Sequence, residues 1–386
     1  MEKKGNIKVQ LDFNVTKKPH SLYNSLFNNP PEGVEYKKSE FRGINERNYS
    51  VLGKIYWKIA KAFPFVEKFH QRTLDVLRKE NGFDLIHLTF HLGNTKKPCV
   101  IDYENAYNFI DIRNRENKKD KKNAIKILDK KNIKCLMPIN NEALKSFKLF
   151  FGENVRKPQE VIYPTTFIEE NLRKKVKKEN IMIFIGSSNI ATSKAFYIKG
   201  GSETVLAFER LSLKYPNYKF MIISKIPEEL KIKTRKNLII QNVLPQKELW
   251  EIMNKSLIFV QPNYHAPAMA YIEAMFFRMP IITYNCWANN EYVNEKNGIL
   301  IKQKEIGHIN RHNIPIYDEN IINKIKENAI ENSKEIEIEI EKLIKNPKLI
   351  SKMGEEGFKE VTKGKFSLKK RNEKLLKIYK EALNNG

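Results

Sequence analysis

Short apolar runs recur along most of the chain and are separated by longer polar or amphipathic stretches. Several of these runs have the length and composition of buried β-strands. They are Ile7–Phe13, Leu85–Phe90, Cys99–Tyr103, Ile133–Met137, Ile181–Ile185, Phe220–Ser224, Leu238–Gln241, Leu257–Gln261 and Ile281–Tyr284. Their alternation with helical stretches predicts an α/β protein built on parallel sheets.

The segments between the strands carry helical patterns. Glu203–Tyr215 and Leu368–Leu383 are predicted helices, and another is predicted to begin at Pro267, which suits a first helical turn. Glu335–Glu341 alternates with a period of two, which alone would predict a strand, but its Lys/Glu-rich surroundings without turn residues favour a helix. Val51–Lys79 has a helical spacing interrupted by a proline and is interpreted as core.

A polar stretch with almost no apolar periodicity, Thr165–Asn180, divides the chain. It predicts an N-terminal Rossmann-like domain over residues 1–165, a linker over 166–180 and a second domain over 181–366. The length of 386 residues fits two domains. The last helix, over residues 367–386, is expected to pack back on the N-terminal domain.

Composition narrows the class of protein. Hydrophobic residues make up 41% of the chain, which is enough for real cores. No apolar run approaches the roughly 18 residues of a membrane span, and the charged start lacks the apolar region of a signal peptide. Three widely separated cysteines, Cys99, Cys135 and Cys286, offer neither a disulfide framework nor a metal knuckle. These features predict a cytoplasmic protein.

The formal net charge of +25 raises the question of an anionic partner. Only 13 of the 70 basic residues are Arg, whereas nucleic-acid readers rely on Arg for bidentate contacts. No RRM, KH or zinc-finger element is present, so specific nucleic-acid binding is not expected and remains a third alternative. A basic cluster in Arg113–Lys134 is either a solvated helix face or a contact with an anionic membrane surface.

Two strand ends in the second half carry residues suited to an anion. After strand Ile181–Ile185 come Gly186 and, beyond a polar loop, Lys199 and Gly200, with Ser202 as the predicted N-cap of a helix. A glycine turn with amide donors at a helix N-terminus suits a phosphate. The GxxxxGK[ST] and GxGxxG motifs are absent, which disfavours a P-loop or a dinucleotide site. A Lys-Gly-Gly turn alone is more often structural.

The second strand end follows Leu257–Gln261. The loop Asn263–Ala266 is expected at the positive end of the helix that begins at Pro267. Glu273 lies six residues into that helix among apolar neighbours, and a partly buried carboxylate needs hydrogen-bond donors. Vicinal sugar hydroxyls would supply them, and so would one of the many lysines.

Together, these motifs resemble the second domain of GT-B fold glycosyltransferases, in particular the retaining family 4. The resemblance extends from about Ile181 to Gly298. The matching motifs are Phe184-Ile185-Gly186, Lys199-Gly200, Gln261-Pro262, Glu273-Ala274-Met275, Pro280-Ile281-Ile282, Glu291 and Asn297-Gly298. The resemblance implies an α/β protein of GT-B architecture, in which two Rossmann-like domains with parallel sheets face each other across a cleft and a C-terminal helical tail follows.

The resemblance also implies roles for single residues. Lys199 would bind the diphosphate of a nucleotide sugar and Glu273 its ribose, while Asn242 and Val243 would bracket the base. The loop that would hold the donor sugar and diphosphate comprises Tyr264, His265, Ala266, Pro267, Ala268 and Met269. The rest of the implied donor site is Gly186, Ser187 and Gly200.

The implied reaction moves a sugar from a UDP- or GDP-sugar to a glycan or lipid-linked acceptor, with retention and without a metal or other cofactor. In that scheme the leaving diphosphate helps to deprotonate the acceptor hydroxyl. Glu104, Asp102 and His91 follow or end strands of the predicted acceptor domain and are candidates for a general base or a sugar-orienting group. Peripheral attachment to an anionic membrane surface through Arg113 to Lys134 would suit a lipid-linked acceptor.

Three positions depart from the family pattern. His265 stands where the pattern has the first Glu of Glu-x7-Glu, and the Arg after Phe-x-Gly is missing. Arg278 replaces a helix-ending glycine, so either it adopts the left-handed conformation at a cost of about 1 kcal/mol or the helix ends differently. Two alternative functions therefore stay open: a catalytically impaired GT-B subunit that binds sugar nucleotides or polysaccharide, and a GT-B sugar-nucleotide epimerase.

Overall fold

The computed structural model describes residues 6–13, 21–39, 78–110, 118–186, 193–265, 267–304 and 319–384. The chain divides into two compact units. The first consists of Met1–Phe167 with Leu368–Gly386, and the second of Ile168–Ser367. The predicted helix within Val51–Lys79 lies outside the described residues, apart from its last two positions.

Parallel strands and helices alternate along the described residues. The strands are β1 (Ile7–Phe13), β2 (Val34–Lys38), β3 (Leu85–Thr89), β4 (Cys99–Tyr103), β5 (Ile133–Pro138), β6 (Ile181–Ile185), β7 (Lys219–Ile223), β8 (Leu238–Gln241), β9 (Ile258–Val260), β10 (Ile281–Tyr284) and β11 (Gly298–Ile301). The α-helices are α1 (Ser21–Asn28), α2 (Lys118–Leu128), α3 (Asn141–Phe151), α4 (Ser193–Ile198), α5 (Gly201–Lys214), α6 (Gln246–Lys255), α7 (Ala268–Phe276), α8 (Asn289–Tyr292), α9 (Glu319–Ile344), α10 (Pro347–Thr362) and α11 (Leu368–Asn384).

The first unit is built on a five-stranded parallel sheet with the order β2-β1-β3-β4-β5. The chain moves outward from β1 to β2 and then to the other side, so the topological switch point lies between β1 and β3. Aromatic and aliphatic side chains of α3, including Phe147 and Phe151, cover one face with Leu128 of α2. On the other face, α1 and the C-terminal helix α11 pack together.

Helix α11 is bound into the first unit by specific contacts. Arg371 donates from Nη1 to Ser25 Oγ at 2.9 Å and from Nη2 to the carbonyl of Asn29 at 3.0 Å. The Tyr379 hydroxyl lies 3.0 Å from the Tyr36 hydroxyl. Because these groups are buried, the hydrogen bonds fix the helix against α1 and β2.

The second unit is built on a six-stranded parallel sheet with the order β11-β10-β9-β6-β7-β8. Its strands are nearly continuous apolar runs because helices cover both faces. The chain proceeds from β6 through β7 to β8 and then returns to β9 on the other side of β6. Its switch point therefore lies between β6 and β9.

Helix α9 contains the alternating segment, and the predicted helix is confirmed there. Ile336 and Ile340 are four residues apart and are buried, whereas Ile338 is exposed. Glu337 forms an ion pair with Arg210, and Glu341 forms one with Lys214, so both acidic residues bind α5. The alternating residues therefore form two faces of one helix. One face carries the buried isoleucines, and the other carries the glutamates that pair with α5.

Two strands were missed by the sequence pattern. The missed strands are the edge strands β2 and β11, which carry polar residues or begin with glycine.

The polar stretch after residue 165 is more ordered than a simple linker. Residues 168–180 belong to the second unit, where Lys178 Nζ donates to the carbonyls of Asn254 and Phe277 at 2.9 and 2.5 Å. These carbonyls end α6 and α7, so one lysine caps both helices. Within the described ranges, no helix is both long and apolar enough to cross a membrane.

Candidate functional site

Gly186 ends β6 at the switch point of the second unit. Its amide donates to the carbonyl of Ile223 at 3.1 Å. An added Cβ would lie 2.5 Å from Ser224 Oγ, a distance at which the neighbour would have to move. The glycine is therefore needed for the packing of β6 against the end of β7, and that packing keeps the strand end free of a side chain.

Gly200 joins the turn between α4 and α5 to the loop after β9. It has a φ of 73° and is the N-cap of α5, and an added Cβ would lie 2.3 Å from the carbonyl oxygen of Pro262. The predicted N-cap, Ser202, is wrong: it lies in the first turn, is buried and donates to Glu203 Oε2 at 2.8 Å. Glycine takes the cap because only it tolerates both the left-handed backbone and this close approach.

Lys199 precedes this cap and is half-buried. Burial lowers the pKa of its ammonium from 10.5 to about 8. None of the carboxylates in the described ranges lies within ion-pair distance of it. A buried cation in this position costs free energy, which an anionic ligand would offset.

Helix α7 begins next to the same turn. The amide of Tyr264 donates to the carbonyl of Ile198 at 2.9 Å, which links the loop before α7 to the end of α4. Pro267 is the N-cap rather than the predicted first-turn residue, and no side chain caps the helix. Pro267, Ala268 and Met269 are half-exposed, so the first amides and the positive end of the helix dipole can be reached by an anion.

Glu273 lies on α7 with only 7% of its surface exposed. Burial raises the pKa of its carboxyl to about 7, although the nearby donors of Trp250 and Gln246 lower it in part. Gln246 Nε2 donates to Oε1 at a long 3.4 Å. The carboxylate therefore retains capacity to accept hydrogen bonds from a ligand's hydroxyl groups.

Asn242 and Val243 follow β8 and are both exposed. Val243 has 37% of its surface exposed, which is unusual for an apolar residue between a strand and a helix. Gln246, which starts α6 three residues later, contacts Glu273. The predicted base-binding segment and the predicted ribose-binding residue thus belong to one continuous edge of the second unit.

Tyr264 is not available to a donor, which corrects its predicted role. Its ring is fully buried, and its hydroxyl donates to Glu203 Oε1 at 2.7 Å. Asn332 Nδ2 donates to the same hydroxyl at 3.2 Å. Since its amide also donates to the carbonyl of Ile198, Tyr264 fixes the loop to the interior of the second unit. Glu203 and Asn332 were missed, because a carboxylate in a first turn and a polar residue in a long helix carry no sequence signal of burial.

His265, the residue that departs from the family pattern, stacks on Trp287. The two ring centroids are 5.6 Å apart and the planes differ by 14°. The amide of His265 donates to Asn263 Oδ1 at 3.0 Å. Asn289 Nδ2 donates to the carbonyl of Asn263 at 2.6 Å and to that of Tyr284 at 2.9 Å. Trp287 and Asn289, which the sequence pattern did not single out, therefore organise this loop.

Arg278, the third departure from the family pattern, adopts the left-handed conformation. Its φ is 54°. The guanidinium lies 3.5 Å from the centroid of the Phe358 ring, and Nε lies 3.2 Å from Glu355 Oε1. The cation–π contact and the ion pair offset the cost of the backbone conformation.

In the first unit, Asp102 is a buried structural carboxylate, which corrects its predicted role. It accepts a hydrogen bond from the Tyr23 hydroxyl at 2.8 Å and one from the amide of Phe90 at 3.0 Å. His87 Nε2 lies 3.2 Å from Oδ2. The side chain also borders a small cavity of about 40 Å³ beneath α1 and α11. With its acceptor positions occupied, Asp102 is poorly suited to act as a general base.

His91 lies at the switch point of the first unit, but it is also held by the protein. Its Nδ1 is 2.9 Å from the carbonyl of Thr89, and its Nε2 is 3.7 Å from Asp12 Oδ2. Asp12 in turn forms a buried ion pair with Arg78 at 2.6 Å. Burial alone would lower the pKa of His91, but Asp12 outweighs it and raises the pKa. Both nitrogens thus face acceptors, which favours an imidazolium and argues against a base.

Glu104 differs from the other two candidates because it is half-exposed. It follows the carboxyl end of β4, and its amide donates to Asn108 Oδ1 at 2.7 Å. Ser187 and Ala266 of the predicted site lie outside the described residues, as do Arg113 and Arg115 of the basic cluster. Within the described ranges, no group of three or more His, Cys, Asp or Glu side chains is placed to hold a metal ion.

Comparisons with known proteins bear on the family of the second unit and on the fold. Residues 168–336 match the family model described as glycosyl transferases group 1. Sucrose-phosphate synthase from Thermosynechococcus elongatus has a similar structure, with a TM-score of 0.60 at 10% identity over 99% of this chain and 100% of that chain. Anabaena HepE in complex with UDP-glucose gives a TM-score of 0.58 at 12% identity over 96% of this chain and 99% of that one. No curated protein sequence matches the chain.

The two parallel sheets, the strand orders and the family match define the class of protein. The chain has the GT-B fold. Its second unit carries the glycosyl transferases group 1 domain, which includes the switch point, Lys199 and Glu273. The structural likenesses, at these low identities, concern the fold alone.

Proposed function

We propose that this protein transfers a sugar from a UDP- or GDP-sugar to a glycan or lipid-linked acceptor, with retention of configuration and without a resident cofactor. The observation that carries the proposal is the environment of Lys199. Its ammonium is desolvated, its pKa is lowered to about 8, and no carboxylate among the described residues pairs with it. A diphosphate would supply the missing negative charge.

The residues around the switch point suit the successive parts of a nucleotide sugar, which are the base, the ribose, the diphosphate and the sugar. Asn242 and Val243, after β8, would contact the base through backbone groups. Glu273 would accept hydrogen bonds from the ribose hydroxyls. Lys199 and the first turn of α7 would bind the diphosphate between β6 and β9. This order follows the edge of the sheet and leaves the sugar on the β10 side.

In the proposed reaction, negative charge develops on the diphosphate as the bond to the sugar breaks. Lys199 and the positive end of α7 would stabilise that charge without reorganisation, which lowers the barrier. For transfer with retention, the diphosphate oxygen would accept the proton of the acceptor hydroxyl. In the first unit, Glu104 remains the proposed orienting group for the acceptor, because it is half-exposed and follows the carboxyl end of β4.

We also propose that the first unit attaches peripherally to an anionic membrane surface. The described part of the basic cluster includes Lys118, Lys119, Lys122 and Lys126, which are exposed on α2. Leu149 on the neighbouring helix α3 has 57% of its surface exposed. Lysines attract anionic headgroups by about 1 kcal/mol each near the surface, and an exposed leucine adds apolar contact.

A thermal-shift screen against UDP, GDP and their sugars tests the donor assignment. HepE was solved with UDP-glucose, so UDP-sugars are the first donors to test. A ligand present at a hundred times its Kd should stabilise the protein by about 2.7 kcal/mol. Stabilisation in the wild type and its loss in Lys199→Ala are expected. An unchanged melting temperature with every nucleotide would refute the proposal.

Product release separates transfer from the two alternatives that His265 leaves open. Transfer produces free nucleoside diphosphate in proportion to glycosylated acceptor. A binding subunit would bind the nucleotide sugar without release, and an epimerase would change the sugar without needing an acceptor. Chromatography of the nucleotide and sugar products, with and without acceptor glycans, distinguishes the three outcomes.

A further inference from the structure

The stack of Trp287 on His265 is formed by a strained segment of the backbone. Trp287 and Ala288 have φ values of 20° and 56°, two consecutive non-glycine residues with positive φ. This backbone conformation is unfavourable for any residue that carries a Cβ. Strain of this kind persists only where surrounding contacts impose it, and it is concentrated at functional sites.

The contacts that impose this conformation are present. Asn289 Nδ2 and Cys286 Sγ both donate to the carbonyl of Asn263, at 2.6 and 3.3 Å. They join the loop after β10 to the loop after β9. The residues on either side, Tyr264 and Ala288, are buried, whereas the two stacked rings are half-exposed. The result is a rigid aromatic surface that is only partly covered by the protein.

The place of this surface along the sheet suggests its ligand. Asn242 and Val243 follow the edge strand β8, Lys199 lies beside the turn between β6 and β9, and the stack follows β9 and β10. A nucleotide sugar bound through its base and diphosphate along this edge continues toward β10 with its sugar ring. The chemical group that reaches the stack is therefore the donor sugar.

We propose that Trp287, supported by His265, is the platform on which the donor sugar stacks, and that it selects a neutral hexose. The aliphatic C–H groups on one face of such a ring would lie against the aromatic surface. The proposal rests on the proposed transfer function. It adds that the hexose is recognised through its apolar face by residues with no acidic group.

The first test separates the hexose from the nucleotide. The Kd values of UDP and UDP-glucose are measured by calorimetry for the wild type, Trp287→Asn and His265→Ala. Asn is chosen because it tolerates positive φ. In both variants we expect the affinity for UDP-glucose to fall about fivefold or more and that for UDP to change less than about twofold. Glu273→Ala is the matched control and should weaken both ligands equally.

A second measurement reads the contact directly and does not depend on the stability of a variant. In saturation-transfer NMR of the wild type with UDP-glucose, the glucose ring protons should receive strong saturation from the aromatic surface. His265→Phe keeps an aromatic ring for Trp287 to stack on and should therefore keep this signal.

The possible failures differ. If the wild type binds none of the nucleotides tested, including GDP and GDP-glucose, both the proposed function and the platform are refuted. If the wild type binds UDP-glucose but the variants lose no hexose-dependent affinity, or the glucose protons receive no saturation, the platform alone is refuted.

Discussion

Gly200 approaches the carbonyl oxygen of Pro262 so closely that a methyl group on its Cα would lie 2.3 Å from that oxygen. This contact joins the two loops of the proposed diphosphate site. Lys199 is carried by one of them, and the chain of the other continues into α7. The spatial relation between the lysine and the helix terminus is therefore set by a glycine that touches no ligand.

Gly200→Ala should destabilise the protein and weaken nucleotide binding. The left-handed backbone costs alanine about 1 kcal/mol, and the clash with Pro262 adds to it. Gly33→Ala is the matched control, because Gly33 has a φ of 74° and nothing lies within 4 Å of an added Cβ. Urea unfolding and UDP titration of both variants isolate the clash. Equal losses in the two variants would contradict the role assigned to this contact.

Lys199→Ala should weaken UDP binding by about tenfold to a hundredfold, the usual range for a charge-assisted hydrogen bond. Lys334→Ala, in which an exposed lysine of α9 is removed, is the control and should leave the Kd unchanged. Both Kd values are measured at pH 7. A Lys199 variant that binds UDP as the wild type does would refute the diphosphate role.

The affinity for UDP should also depend on pH through Lys199. Its pKa is about 8 in the free protein, so the ammonium is lost as the pH rises from 7 to 9.5. An anionic ligand binds the protonated form, so the Kd should rise by up to about tenfold per pH unit above pH 8. Calorimetry in buffers of different ionisation enthalpy should show proton uptake on binding near pH 8. Lys199→Ala should show neither the uptake nor this slope.

Stability should depend on pH through Glu203. Burial raises the pKa of its carboxyl from 4.5 to about 7, against hydrogen bonds from Tyr264 and Ser202 that lower it. The folded state therefore holds a proton that the unfolded chain releases between pH 4.5 and 7, so this stabilisation is present below pH 4.5 and is lost as the pH rises through 7. The loss is on the order of 3 kcal/mol.

Glu203→Gln should remove this pH dependence, because an amide of similar size stays neutral. Denaturant unfolding of both proteins between pH 4.5 and 8 measures the difference. The stability of the wild type relative to the variant should fall with rising pH. Glu273 titrates in the same window but is present in both proteins, so its contribution cancels. A difference that does not vary with pH would rule out a protonated Glu203.

Substitutions at Asp102 and Glu104 should affect different properties, the first stability and the second turnover. Asp102→Asn should lower the free energy of unfolding by 1 to 3 kcal/mol, roughly the cost of disturbing a buried hydrogen-bond network, with kcat per folded molecule little changed. Glu104→Gln should do the reverse and lower kcat at unchanged melting temperature. A loss of kcat confined to Asp102→Asn would restore the general-base role that the structure argues against.

The sequence predicted the interior of the molecule better than its polar network. Strands such as β6 and β10 are continuous apolar runs, so burial and periodicity identify them directly. The role of Asp102 could not be predicted in this way. Its partner Tyr23, and Tyr379, which contacts His87 of the same network, lie on helices distant in sequence. A strand-end carboxylate looks the same in sequence whether it faces a ligand or a tyrosine.

The proposed donor site shows the same difference between local and long-range signals. The sequence singles out Lys199 and Glu273 as candidates because their local motifs are compact. Trp287 and Asn289 were not, since their importance comes from contacts with the loop around Asn263, which only the fold brings near.

The basic face of α2 should bind anionic vesicles. A triple variant, Lys118→Glu, Lys119→Glu and Lys122→Glu, reverses three exposed charges on one helix and should abolish sedimentation with phosphatidylglycerol vesicles at low salt. The control is a triple charge reversal at exposed lysines of the second unit, Lys334, Lys348 and Lys352, which changes the net charge equally.

If binding depended on net charge alone, both triple variants would lose it to the same extent. A specific face predicts loss in the α2 variant only, and Leu149→Ser should weaken the remaining binding at moderate salt, where screening reduces the electrostatic part and leaves the apolar contact. Vesicles of phosphatidylcholine should not sediment the wild type. Failure of the wild type to bind phosphatidylglycerol at low salt would exclude this face as a membrane contact, while donor binding in the second unit would be unaffected.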